Sequence, residues 1–187
     1  MAPITDPQLR ATLTDHLRRH PEEATALAEP ARLMRRGRDL ASRRTFPMHV
    51  TVGALLVRGG SEILLVEHRA YGLTLQPGGH LEPSDGTLIT GAVRELVEET
   101  GIDADTVIPT RQIPVYVEFG EVPARPDKDE PAHFHLDFGF AFTTTRGKIG
   151  RVQESEVDSA EWYPLAEAER LVGPRIARAL APSARLR

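Results

Sequence analysis

The 187-residue sequence contains no cysteine. That excludes disulfide staples, thiolate metal sites and cysteine nucleophiles. No run approaches the ~18 consecutive apolar residues that a membrane span requires. Met1 to Leu13 lacks the basic-then-apolar order of a secretory signal. The expected setting is therefore cytoplasmic, with no membrane partner. Lysine is scarce: Lys128 and Lys148 are the two among 23 basic residues. Positive charge is also unevenly spread. Residues 1–45 hold nine Arg against six acids (9 − 6 = +3), and the remainder holds 14 basic against 21 acidic residues (14 − 21 = −7). An acidic main body opposes binding to a phosphate backbone, so no nucleic-acid partner is expected. The same charge suits carboxylates that hold divalent cations. Internal repeats and low-complexity tracts are missing too, which leaves an ordinary globular composition, 40% apolar and 27% charged. A chain of this size can bury a core without staples.

Two regions of different texture follow one another. In residues 1–45, Leu9, Leu13 and Leu17 repeat at helical spacing. Asp6-Pro7 reads as an N-cap and first-turn pair, and His20-Pro21 ends that segment. A second helix is expected from Pro21-Glu22-Glu23 onward, with Pro30 as a point of interruption. We read 1–45 as an N-terminal helical extension, a plausible contact for a homodimer, and 46–187 as the main domain. From Phe46 the pattern becomes β. Val50 to Val57 and Ile63 to Val66 form apolar runs around the turn residues Arg58-Gly59-Gly60-Ser61, a hairpin signal. Leu73 to Gln76 reads as a short strand stopped by Pro77-Gly78-Gly79. Thr87 to Thr100 has a helical period, with Thr87 or Asp85 as its cap and Gly101 as its stop. Val107 to Phe119 reads as strand and 120–132 as loop. His133 to Phe142 alternates apolar and polar residues, which predicts a strand with one polar face. Residues 143–156 form a polar loop, Ala160 to Tyr163 a strand, and Pro164 and Pro174 start helices.

The chemistry concentrates in Gly78-Gly79-His80-Leu81-Glu82-Pro83-Ser84-Asp85 and in Arg94-Glu95-Leu96-Val97-Glu98-Glu99-Thr100-Gly101. Glu95, Glu98 and Glu99 stand at i, i+3, i+4 and share one helical face. Like charges so placed destabilise a helix by roughly 0.2–0.5 kcal/mol per pair. A hard divalent cation such as Mg²⁺ or Mn²⁺ reverses that penalty, because it favours carboxylate oxygens. Arg94 can fix a carboxylate through paired N–H donors. The Gly-Gly turn lets backbone approach the same place. His133, His135 and Asp137 share a strand face, a geometry suited to contacting substrate or metal.

This combination resembles the signature of the Nudix hydrolases, G-x5-E-x7-R-E-U-x-E-E-x-G-U with U apolar. Arg94, Glu95, Leu96, Glu98, Glu99, Gly101 and Ile102 fit it residue by residue. The first half departs: Asp85 replaces its Glu, and Gly86 reads as a one-residue insertion. The resemblance covers about residues 46–175. It implies an α/β fold, an α/β/α sandwich around a mixed β-sheet, here preceded by the helical segment. It also implies hydrolysis of a nucleoside diphosphate linked to another moiety, with Mg²⁺ or Mn²⁺ bound and a small-molecule nucleotide or diphosphate as partner. On that basis Glu95, Glu98, Glu99 and a carbonyl of Gly78 or Gly79 hold the metal. Glu95, Arg94 and Glu98 form the catalytic set, with Glu95 a ligand or the base and Arg94 orienting the glutamates. Glu154 or Glu156 is the alternative general base, and Glu82, His133, His135 and Asp137 meet substrate. The rival reading is a Nudix-fold module that senses a nucleotide without cleaving it.

Overall fold

The computed structural model describes residues 3–69, 72–126 and 129–180. Helices α1 (Asp6–Arg19) and α2 (Ala28–Arg36) come first, with a 3₁₀ turn at Pro21–Glu23 between them. Strands β1 (Met48–Arg58), β2 (Glu62–His68), β3 (Leu73–Leu75) and β4 (Gly78–His80) follow, then helix α3 (Leu88–Thr100). The chain continues through β5 (Ile108–Pro109), β6 (Tyr116–Val122), β7 (His133–Thr144) and β8 (Val157–Pro164) to helix α4 (Leu165–Val172). The result is an α/β fold on a mixed sheet with the order β3-β2-β1-β7-β5; β4 pairs with β1, β6 with β7 and β8 with β2. The last seven residues of the 46–187 stretch lie outside the described residues. No helix among the described residues is long and apolar enough to cross a membrane.

The chain divides into two compact units. One takes the chain up to Val52 together with His80–Gly91 and Val117–Phe138; the other takes Gly53–Gly79, Ala92–Tyr116 and the chain from Gly139.

In the first unit, α1 starts at a capping box rather than at Asp6-Pro7. Thr5 is the N-cap, and Gln8 reaches back to its N–H at 2.8 Å. Asp6 is thereby released to accept the N–H groups of Asp39 (3.0 Å) and Leu40 (2.8 Å), tying a distant loop to the helix. Leu9 and Leu13 are buried on one side of α1, each worth roughly 1.5–3 kcal/mol. The expected second helix begins later than Pro21. Only a single 3₁₀ turn forms at Pro21–Glu23, and α2 starts at Ala28. Pro30 sits inside its first turn, where no N–H is needed.

In the second unit the β1–β2 hairpin pairs Val57 with Ile63 and Arg58 with Glu62. Its turn carries Gly59 and Gly60 at φ 58 and 70, a left-handed region that glycine enters without cost. β8 lies antiparallel along nearly all of β2, from Glu62↔Pro164 to His68↔Val157, and is longer than its apolar core suggested. Leu55, Val57, Ile63, Leu65, Tyr116, Ala168, Val172 and Ile176 belong to one buried cluster. Tyr116 fits because residue 139 is glycine: a Cβ there would overlap the tyrosine ring.

Two strand expectations need correction. Gly78–His80 is a short strand, not a turn, and neither Gly78 nor Gly79 has a positive φ. Val107 to Phe119 is not continuous: it breaks into Ile108–Pro109 and Tyr116–Val122, because Pro109 and Pro114 cannot donate to a ladder. On the polar side of β7, His133, Gly139 and Ala141 are buried and His135 and Asp137 half-buried.

Candidate functional site

Helix α3 is built to hold its C-terminal half in place. Thr87 caps it: the Thr87 hydroxyl accepts the Thr90 N–H at 3.1 Å, and the Thr90 hydroxyl accepts the Thr87 N–H at 3.0 Å. Asp85 is buried in the loop before it and accepts the Glu82 N–H at 2.8 Å. A Cβ on Gly91 would stand 3.0 Å from that carboxylate, so the loop lies close over the first turn of the helix. Asp85 therefore closes a turn within its own unit. Glu82 is exposed, and the Ser84 hydroxyl donates to its carboxylate at 3.3 Å.

The second unit holds Arg94, Glu95, Glu98 and Glu99, with Glu95 and Glu99 against the Gly78–Gly79 segment. Ala92 and Leu96 are fully buried and anchor this part of α3. Helical spacing then turns Glu95 and Glu99 inward, leaving them 6% and 1% exposed, while Glu98 stays at the surface. The Gly78 N–H donates to Glu99 Oε2 at 3.0 Å. A Cβ on Gly79 would stand 2.7 Å from both Cδ and Oε2 of Glu95. Glycine is needed at 79 because of this approach, not because of a turn. Arg94 Nη1 donates to Glu95 Oε1 at 3.1 Å and to Glu98 Oε2 at 2.9 Å, bridging two of the three carboxylates.

One arginine does not neutralise this group. Burial pushes the Glu95 carboxyl up to about 7, against the pull of Arg94 and with a further push from Glu98 and Glu156. Burial likewise pushes Glu99 up to about 8; the Gly78 N–H lowers it, and Glu95, Glu156 and Glu98 raise it. Two buried carboxyls against the Gly78–Gly79 backbone, with Glu98 one turn away on the same helix, supply oxygen donors of the kind a hard divalent cation prefers.

The loop that carries Glu154 and Glu156 is docked on the end of α3. Gly101 ends the helix at φ 62, and a Cβ there would meet Arg151 N at 2.5 Å. The Gly150 N–H donates to the Thr100 carbonyl at 3.0 Å. The Glu156 N–H donates to the Gln153 carbonyl at 2.9 Å, closing a turn. The charge of Glu156 acts on Glu95 and Glu99, whereas Glu154 is not among the causes of either shift. The Gly101–Gly150 approach escaped the sequence reading; a glycine isolated in a polar loop was its only signal.

His133, His135 and Asp137 lie in the first unit. Asp137 accepts the Thr51 hydroxyl at 2.9 Å. The two histidines gather instead with His49 and His80: ring centroids are 4.9 Å apart for His49–His133, 4.7 Å for His49–His135 and 5.1 Å for His80–His135. Burial lowers His80 to about 3 and holds His135 far below the usual imidazole range, with their histidine neighbours and Arg43 or Arg125 adding to the effect. His49 reads from sequence as an ordinary strand residue. Its neighbours come from a strand more than 80 positions away.

A strand of two glycines pressed on an R-E-x-x-E-E helix face, within an α/β fold, defines a class of hydrolase. Residues 47–183 match the family model of the NUDIX domain. Phosphatase NudJ of Escherichia coli K12 is 34% identical over 140 residues, which cover 72% of this chain and 82% of that protein. Two solved structures share the fold. One is a NUDIX-family hydrolase from Clostridium perfringens, with a TM-score of 0.53 at 20% identity, covering 70% of this chain and 93% of that one. The other is the E. coli dihydroneopterin triphosphate pyrophosphohydrolase, with a TM-score of 0.52 at 17% identity, covering 69% of this chain and 89% of that one. The chain belongs to the Nudix family and is a Nudix-type pyrophosphohydrolase.

Proposed function

We propose that the chain is a Mg²⁺- or Mn²⁺-dependent hydrolase that cleaves the pyrophosphate bond of a nucleoside diphosphate linked to a second moiety. The observation that carries this is the pair of inward-turned carboxyls, Glu95 and Glu99, held against the Gly78–Gly79 backbone on a helix that also carries Glu98. Glu95, Glu98 and Glu99 would hold the cation, with a carbonyl of Gly78 or Gly79 completing the set. Bound there, it would lower the pKa of an attacking water and neutralise charge building on the phosphoryl oxygens. Arg94 has the positioning task, since its two bonds keep Glu95 and Glu98 in register. Glu156 is the better placed of the two loop acids to take the water's proton, because its charge reaches Glu95 and Glu99. The water oxygen adds to one phosphorus, the bridging P–O bond breaks, and the second phosphate leaves with the electron pair.

Glu82 and Asp137 keep the role of substrate contacts in this proposal. Each would exchange an internal hydrogen bond, to Ser84 or to Thr51, for one to the ligand. The 34% identical NudJ is named a phosphatase, which supports a phosphorylated small molecule as substrate. The test is a phosphate- and pyrophosphate-release screen over nucleoside triphosphates, nucleotide sugars and dinucleotides, with Mg²⁺, Mn²⁺ or chelator. Metal-dependent release from at least one substrate is expected. Tight binding of a nucleotide with no release under any metal would favour the sensing module instead.

A further inference from the structure

We propose that His49, His133 and His135 form a binding site for a divalent transition metal of the Zn²⁺ class, separate in chemistry from the carboxylates. One nitrogen from each of the three lies within 4.8 Å of the others. β1 brings His49, and β7 brings His133 and His135 at i, i+2 on one face.

The hydrogen bonds around the rings fix which nitrogens face inward. A carbonyl oxygen carries no proton, so an imidazole nitrogen bonded to one must donate. His49 Nδ1 is 3.2 Å from the Thr45 carbonyl, and His133 Nδ1 is 2.7 Å from the Pro131 carbonyl. Both rings therefore carry their proton on Nδ1 and present a bare Nε2 to the cluster. Donation of the outer N–H to a carbonyl is the usual way a ligating histidine is oriented. His133 Nε2 accepts from His135 Nε2, 3.2 Å away. His49 Nε2 has no hydrogen-bond partner among the described residues, although His49 is only 1% exposed. A buried lone pair without a partner has lost its hydration and gained nothing in exchange. A cation at the centre of the three rings would satisfy it.

The spacing suits such an ion. Zn–N bonds of about 2.05 Å in a tetrahedron put neighbouring nitrogens about 3.3 Å apart, close to the 3.2 Å between His133 and His135. The widest separation, at most 4.8 Å, exceeds that value by about 1.5 Å, the scale of an imidazole turning about χ2. On binding, the His135 proton moves from Nε2 to Nδ1, and no ring needs to change charge. The ring of His80 lies 5.1 Å from those of His49 and His135. Phe46 shields the group edge-on, at 6.2 Å from His49 and 5.2 Å from His133. Arg43 and Arg125 are the nearby cations; Arg43 donates to Glu130 at 3.0 Å, and Arg125 pairs with the same carboxylate by charge at 3.2 Å. An all-imidazole donor set selects Zn²⁺, Co²⁺ or Ni²⁺ over Mg²⁺, which prefers oxygen. His133 and His135 then serve as ligands and not as direct substrate contacts. This inference does not depend on the metal reading of the carboxylates.

The test uses the full chain, stripped with chelator and titrated with Co²⁺ in excess Mg²⁺, then with Zn²⁺. Expected are the visible d–d bands of a tetrahedral nitrogen set, saturating at one equivalent and bleached by Zn²⁺. Zn²⁺ should also raise the melting temperature by several degrees. H49A and H135A should abolish both signals; the half-buried His135 keeps the test valid if H49A fails to fold. E98Q/E99Q should leave both signals intact. Missing bands in the wild type, or bands that persist in H135A, would overturn the proposal. So would bands lost in E98Q/E99Q, which would assign the ion to the carboxylates.

Discussion

A single methyl group at residue 79 probes the site more sharply than removal of any charge. Gly79 has no positive φ, so alanine brings no backbone strain there. Its Cβ would stand 2.7 Å from Cδ and Oε2 of Glu95 and 2.8 Å from Oε1. Ordinary contact begins near 3.4 Å, so either Glu95 or strand β4 must retreat by about 0.7 Å. The cost in stability is small, because the atoms met are the far end of the flexible Glu95 side chain, which can swing away. The effect on rate is larger, because a misplacement of about 1 Å in a reacting constellation costs about 100-fold, or about 2.7 kcal/mol of transition-state stabilisation. G79A should therefore lose about two decades in kcat with Mg²⁺ or Mn²⁺, with a melting temperature within several degrees of wild type. G120A is the control, since a Cβ at Gly120 meets nothing within 4 Å. Steady-state turnover and thermal unfolding of both variants check this. A G79A enzyme with more than a tenth of wild-type kcat would refute the claim that Glu95 must stay against that backbone.

Other outcomes follow from the same geometry. E98Q removes charge without volume and should abolish turnover in a chain that still melts cooperatively; retention of more than about a tenth of the rate, under ~1.4 kcal/mol, would exclude Glu98 as a ligand. E156Q should slow turnover by about 10²–10⁴-fold, the usual worth of a general base, and E154Q far less; the reverse order, read in the same assay, would exchange the two assignments. The Glu95 and Glu99 carboxyls are raised from 4.5 to about 7 and about 8, so the metal-free fold retains protons that the unfolded chain has lost. Their contribution is fully present below about pH 4.5 and is lost as pH rises through 7 to 8, about 3 kcal/mol for Glu95 alone. Chemical denaturation with chelator should show that fall, and added Mn²⁺ should reverse it increasingly toward pH 8; a flat profile would contradict the burial of these groups. G139A should destabilise by about 1–3 kcal/mol or more, because its Cβ overlaps Tyr116; an unchanged melting temperature would place the ring elsewhere.

The elements that sequence reading located well are those whose information is local. Helix α3 announced itself by the period of Leu88, Ala92 and Leu96, the Thr87 cap and the Gly101 stop. The β1–β2 hairpin did so by two apolar runs around Gly59-Gly60. The glutamates of α3 were legible because i, i+3, i+4 spacing is a property of the helix itself. Tertiary information was not. Gly78-Gly79 read as a turn because nothing local says that a strand will pair there with β1, or that Glu95 will press on it. Val107 to Phe119 read as one strand because the apolar pattern outweighed two prolines whose missing donors break it. His49 read as a plain strand residue because its partners His133 and His135 are brought to it by folding, and period-2 alternation shows which residues share a face but not what lies opposite.

The most direct test of the carboxylate site is anomalous diffraction from crystals of the full chain soaked in Mn²⁺. The expected result is an anomalous peak within about 2.2 Å of carboxylate oxygens of Glu98 and Glu99, with a carbonyl of Gly78 or Gly79 in the same shell. A saturating soak that leaves these oxygens without a peak, with Glu95 and Glu99 still packed against Gly78–Gly79, would contradict it.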